Sequence, residues 1–109
     1  MVFPYREVGQ YSAGGTLHGF LLHKQGNLTT INFPRASATQ PIDINPRGDI
    51  VGMYSVDDTT HGFLLDKGSS FISGDFPDAS STAASGINPQ GEIVGTYSIE
   101  GVTHGFLAR

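Results

Sequence analysis

The sequence predicts an all-β protein made of β-propeller blades, each of four short antiparallel strands. Three observations predict it. His-Gly-Phe-Leu begins at His18, His61 and His104, at a constant spacing of 43 residues. Each full unit carries four short apolar or β-branched runs, the spacing of a propeller blade. Glycine or proline breaks the chain at close intervals, and no window has helical periodicity.

The repeat runs well beyond the histidines. Tyr11, Tyr54 and Tyr97 match, as do Val8-Gly9, Val51-Gly52 and Val94-Gly95. Ile44-Asn45-Pro46-Arg47-Gly48 matches Ile87-Asn88-Pro89-Gln90-Gly91, and Phe33-Pro34-Arg35-Ala36-Ser37 matches Phe76-Pro77-Asp78-Ala79-Ser80. Such a unit is too thin to bury both faces alone and must stack on its neighbours.

Lettered from the inside of a blade, strand A is Ala83–Asn88, small and apolar enough for a crowded inner position. Asn-Pro-x-Gly follows at Asn45–Gly48 and Asn88–Gly91. Asn caps the backbone, Pro presets φ and Gly relieves the fourth position of a type I turn. Strand B is Asp49–Ser55 and Glu92–Ser98, β-branched and aromatic around a central glycine. A short polar hairpin loop leads to strand C, His61–Asp66, which is apolar on both faces as a strand between layers must be. The segments His23–Gly26 and Asp66–Gly68 read as the next hairpin, and Ser69–Phe76 as outer strand D. Phe-Pro then ends the strand, because proline cannot donate to a ladder.

The chain thus runs B-C-D, A-B-C-D, A-B-C in one repeat domain, 1–109, with units near 1–43, 44–86 and 87–109. At the start, Met1–Glu7 stands where the Asn-Pro-x-Gly turn belongs. The pattern G-I-N-x-x-G-x-I-V-G-x-Y, then H-G-F-L, then F-P-x-A-x-x-T spans Val8 to Arg109. It resembles the HAF-type probable extracellular repeat found in tandem in bacterial proteins. The resemblance implies a propeller-like repeat, often exported, and no established enzymatic activity.

A propeller needs about four blades or more to close. About two and a half units leave edges and apolar faces open. Closure by copies of the chain is therefore expected: a dimer forming six blades, or a trimer of larger circumference. The expected role is a non-catalytic, self-assembling module that serves as a binding scaffold.

Candidate ligand-binding residues are the repeated His18, His61 and His104, the repeated Tyr11, Tyr54 and Tyr97, and the Asp57-Asp58 pair. The histidines read first as structural, bonding a loop backbone or a neighbouring strand, with the following glycine letting the next blade approach. A ring of imidazoles around the axis is the metal-binding alternative. His23, five residues after His18, faces the other side of the strand. Ser12, Ser55 and Ser98 recur near the histidines with Asp57, Asp58 and Glu100, but a hydrolytic site needs one converging trio, not a copy in each blade. No catalytic residue and no cofactor is expected. Asp57-Asp58 reads as a solvated loop before a Ca²⁺ site. The tyrosines read as blade-to-blade packing, with Arg35 and Asp78 as a candidate ion pair between units. A carbohydrate-binding lectin with one weak site per blade or blade junction is the main alternative, since repeated sites gain avidity. The absence of tryptophan weakens it.

Composition narrows the partners. The net charge of −4 argues against nucleic acid, which needs a cationic face. No run approaches the ~18 apolar residues of a membrane span, and no signal peptide is visible at the start. With no cysteine, stability rests on packing and assembly.

Overall fold

The computed structural model describes residues 7–23, 26–66 and 70–108, and each regular element among them is a strand. The order is β1 (Glu7–Ala13), β2 (Thr16–Leu22), β3 (Leu28–Ile31), β4 (Ala38–Ile44), β5 (Ile50–Val56), β6 (Thr59–Asp66), β7 (Ser70–Gly74), β8 (Ser81–Ile87), β9 (Ile93–Ile99) and β10 (Val102–Ala108). Among the described residues no helix is long and apolar enough to cross a membrane.

The strands form three antiparallel meanders in chain order: β1–β3, β4–β7 and β8–β10. A parallel bridge between Leu17 and Ala38 joins β2 to β4, so the first two meanders make one seven-stranded sheet. The third meander is a separate three-stranded sheet, and neither sheet closes on itself. The expected groups of three, four and three strands are all present. The unit boundary expected between Asp43 and Ile44 falls inside β4. Hydrogen bonding assigns that strand to β5, so the sheet units begin at Ala38 and Ser81. Ser69, Lys67-Gly68, Lys24-Gln25 and Met1–Arg6, which carry parts of the expected strand D, hairpins and opening segment, lie outside the described residues.

The turns follow from local chemistry. The β1–β2, β5–β6 and β9–β10 hairpins each turn on two residues with positive φ: Gly14-Gly15, Asp57-Asp58 and Glu100-Gly101. Two left-handed residues make the type I′ turn, whose twist matches that of the flanking strands. In the Asn-Pro-x-Gly turns, Gly48 N donates to Asn45 O and Gly91 N to Asn88 O, each at 3.0 Å. The side chain adds to this, because Asn45 Oδ1 accepts from the amides of Arg47 and Asp49, and Asn88 Oδ1 from those of Gln90 and Glu92.

Pro41 stands inside β4, where a proline would ordinarily break a ladder. It sits beside a register shift between Pro41 and Asp43, matched by one between Ala84 and Gly86 in β8. A bulge is where a strand tolerates a residue that cannot donate.

The core lies between the first and second meanders. Ile31, Ile50, Tyr54, Phe63 and Leu65 are buried there, with Val8, Leu21, Phe33 and Phe71 packed against them. Phe63 is 2% exposed, and burying such a side chain contributes about 1.5–3 kcal/mol. Its counterpart Phe106 is half-buried.

Candidate functional site

Side chains alternate along a strand, so Tyr54 on β5, His61 and Phe63 on β6, and Phe71 and Ser73 on β7 share one face of the second meander. The register pairs Tyr54 with His61 and Phe63 with Ser73, and places Asp75 beyond the end of β7 beside His61. The imidazole of His61 donates from Nδ1 to the Asp75 carboxylate at 2.8 Å. Tyr54 and Ser73 share a hydrogen bond between their hydroxyls. The first meander repeats this: His18 Nδ1 donates to Asn32 Oδ1 at 2.8 Å, and Tyr11 shares a hydrogen bond with Thr30. Asp75 and Asn32 immediately precede the Phe-Pro pairs, so the histidine anchors the exit of each outer strand.

Phe-Pro carries the chain to the next unit, and its Phe lands on that unit's tyrosine. Phe33 stacks on Tyr54 with centroids 3.7 Å apart, and Phe76 stacks on Tyr97 at the same distance. The histidines complete each column, with His61 centred 5.1 Å from Tyr54 and His104 5.1 Å from Tyr97. The remainder of the F-P-x-A-S-x-T motif fixes this landing. Thr39 and Thr82, both buried, accept from the amides of Phe33 and Phe76. Ser37 and Ser80 donate through both amide and hydroxyl to the carbonyls of Ser55 and Ser98. Arg35 and Asp78 both adopt left-handed φ, 67° and 64°, at the exposed bend of this connection. Their shared slot is thus a backbone position of unusual φ.

The expected site residues occupy two kinds of place. Tyr54 is 6% exposed and sits against Phe33, so its ring is closed to a sugar; Tyr11 is 40% exposed. Asp57 and Asp58 stand exposed at a hairpin tip. Among the described residues, no three His, Cys, Asp or Glu side chains are grouped to hold a metal ion. Ser55 and Ser98 act through their carbonyls in tying the units, and Ser98 Oγ shares a hydrogen bond with Thr103. His23 leaves the column and bonds Thr29 through Nε2.

Asp43 stands outside the repeated pattern. It corresponds to Gly86, and the mismatch is the signal that marks it. Asp43 Oδ2 accepts from the amide of Ile87 at 3.0 Å, across the junction of the second and third meanders, while Oδ1 accepts from Ile44 N. A Cβ on Gly86 would lie 3.7 Å from that carboxylate and 3.2 Å from Val94.

The two junctions differ on their outer side. Between the second and third meanders lies an apolar groove of about 300 Å³, lined by Leu64, Ile72, Phe76, Ile93, Phe106 and Ala108 among others. The matching groove at the first junction is smaller, about 170 Å³, and is lined by Leu21, Thr29, Ile50, Leu65 and Phe71 among others, with Phe71 4.9 Å from Phe33 and 5.8 Å from Phe63 between ring centroids.

No family model, no curated protein and no solved structure matches the chain. The HAF-type resemblance therefore rests on the motif residues themselves.

Proposed function

We propose that this chain is a non-catalytic scaffold module whose meanders are propeller blades, and that copies of it close the ring, two chains making six blades. The observation that carries this reading is the repeated column of Phe, Tyr and His. Each full column joins a connection from one meander to the face of the next. Within the second meander the His61 imidazole and the Tyr54 hydroxyl are engaged in holding the outer strand.

The two ends of the stack support assembly. Val51 is fully buried under the third meander, whereas its counterpart Val94 is 49% exposed and Leu107, paired with it across the strands, is 59% exposed. At the other end Tyr11 is 40% exposed, and among the described residues no phenylalanine stacks on it as Phe33 does on Tyr54 and Phe76 on Tyr97. One apolar end is the face that accepts a neighbour and the other is the face that a neighbour covers. Head-to-tail contacts of this kind generate rings when the rotation closes.

Size-exclusion chromatography of the wild type and of Leu107→Glu tests the reading. The charge falls on a side chain that is 59% exposed. The wild type is expected to elute as an assembly and the variant as a folded single chain. Equal elution volumes for the two overturn the proposal.

A further inference from the structure

We propose that Asn27 is an acceptor for N-linked glycosylation, and that the His23 imidazole masks the hydroxyl a transferase must read. Asn27-Leu28-Thr29 has the form Asn-x-Ser/Thr, with a residue other than proline in the middle. The other asparagines, Asn32, Asn45 and Asn88, are followed two residues later by Pro34, Arg47 and Gln90. Those three are also engaged in the fold: Asn32 anchors His18, and Asn45 and Asn88 shape their turns.

The hairpin between β2 and β3 presents the acceptor. The His23 amide donates to the Asn27 carbonyl at 2.9 Å, which carries the pairing of the two strands one step past Leu22 and Leu28. Asn27 and Thr29 are alternate residues of an extended segment, so their side chains share one side of it, and both are exposed. Leu28 and Thr30 take the other side, where Thr30 meets Tyr11. The acceptor therefore lies on the opposite side of the sheet from Tyr11, one of the residues proposed for assembly. The second meander has Ser70, Phe71 and Ile72 in the same places, so the acceptor belongs to one unit and not to the repeat.

The chemistry is substitution at the anomeric carbon of a sugar that carries a diphosphate there. Asn27 Nδ2 forms the new C–N bond. The C–O bond to the diphosphate breaks, its electron pair leaves on the diphosphate, and a base of the transferase takes one Nδ2 proton. The hydroxyl two residues after the asparagine is part of what the transferase recognises. Here that hydroxyl, Thr29 Oγ1, shares a hydrogen bond of 2.8 Å with His23 Nε2. The bond must be given up before transfer, so His23 slows modification of the folded chain.

The purified folded chain is incubated with UDP-glucose and a soluble transferase specific for Asn-x-Ser/Thr. A second sample is secreted from a eukaryotic host, where the donor is lipid-linked. Intact mass and peptide mapping should place one hexose on Asn27 of the folded chain. Asn27→Gln and Thr29→Val should stay unmodified, and Thr29→Ser should accept the sugar. His23→Ala should raise the initial rate about 3-fold or more. No glycan in either sample, or an equal load on Asn27→Gln, overturns the proposal. A glycan on the secreted chain alone, or an unchanged rate for His23→Ala, overturns the masking by the imidazole. The readout is the mass of one chain, so it stands apart from the test of assembly.

Discussion

Asn45 donates from Nδ2 to the backbone carbonyl of Asn88, the residue that holds its own position one unit later, at 3.1 Å. The same side chain shapes its own turn by accepting from two amides, and it reaches Asp49 as well. One residue type at one repeat position therefore sets both the turn and the spacing of successive units.

Asn45→Ala should accordingly cost about 2–4 kcal/mol, since it strips partners from buried groups. Asn88→Ala removes the same turn bonds at a less buried position and should cost roughly 1 kcal/mol less. Urea denaturation of the two variants checks the order. Equal losses would show that the bond between the asparagines contributes nothing.

The glycines of strands B and C predict a graded series. A Cβ on Gly52 would run into the carbonyl oxygen of Gln40, and one on Gly19 would come within 2.6 Å of Pro41 Cδ. On Gly105 it would stand 3.8 Å from the Gly95 carbonyl oxygen, an ordinary contact. Gly52→Ala should cost about 3 kcal/mol or more, and Gly105→Ala under about 1 kcal/mol. Thermal melts of both variants decide this.

Burial separates the two phenylalanines in the same way. Phe63→Ala should cost about 3–5 kcal/mol, and Phe106→Ala, from a half-open groove, about half as much. If denaturation midpoints show equal losses, the two junctions are packed alike and the groove is not open in solution.

Asp43→Ala should cost about 1.5–3 kcal/mol through loss of a carboxylate accepting from two backbone amides. Hydrogen exchange gives the local readout: the Ile87 amide should exchange faster in the variant, while amides of β1 and β2 are unchanged.

Most of the strands were legible because each repeated residue has a local cause. The Asn-Pro-x-Gly turns, the glycine of strand C and the apolar alternation around Phe63 can each be read within a few positions. The histidines were legible as a repeated position, yet their side-chain partners Asn32 and Asp75 differ between units, so no identity at the repeat spacing marks them. Asp43 escaped for the opposite reason. A carboxylate that fills the space left by Gly86 breaks the repeat, and matching by period discards such positions. The parallel bridge between Leu17 and Ala38 depends on how two meanders lean together, which no local signal encodes. The sequence motif and the hydrogen-bonded meander start at different points of strand A, so the meander's first residue, Ala38 or Ser81, carries no motif signal of its own.

Sedimentation equilibrium of the unmodified chain tests the central claim most directly. A subunit of 11.6 kDa whose end faces expose Val94, Leu107 and Tyr11 should sediment as a small closed multiple, two copies being the expected number. A cooperatively folded species of one chain mass across the accessible concentration range would contradict the account.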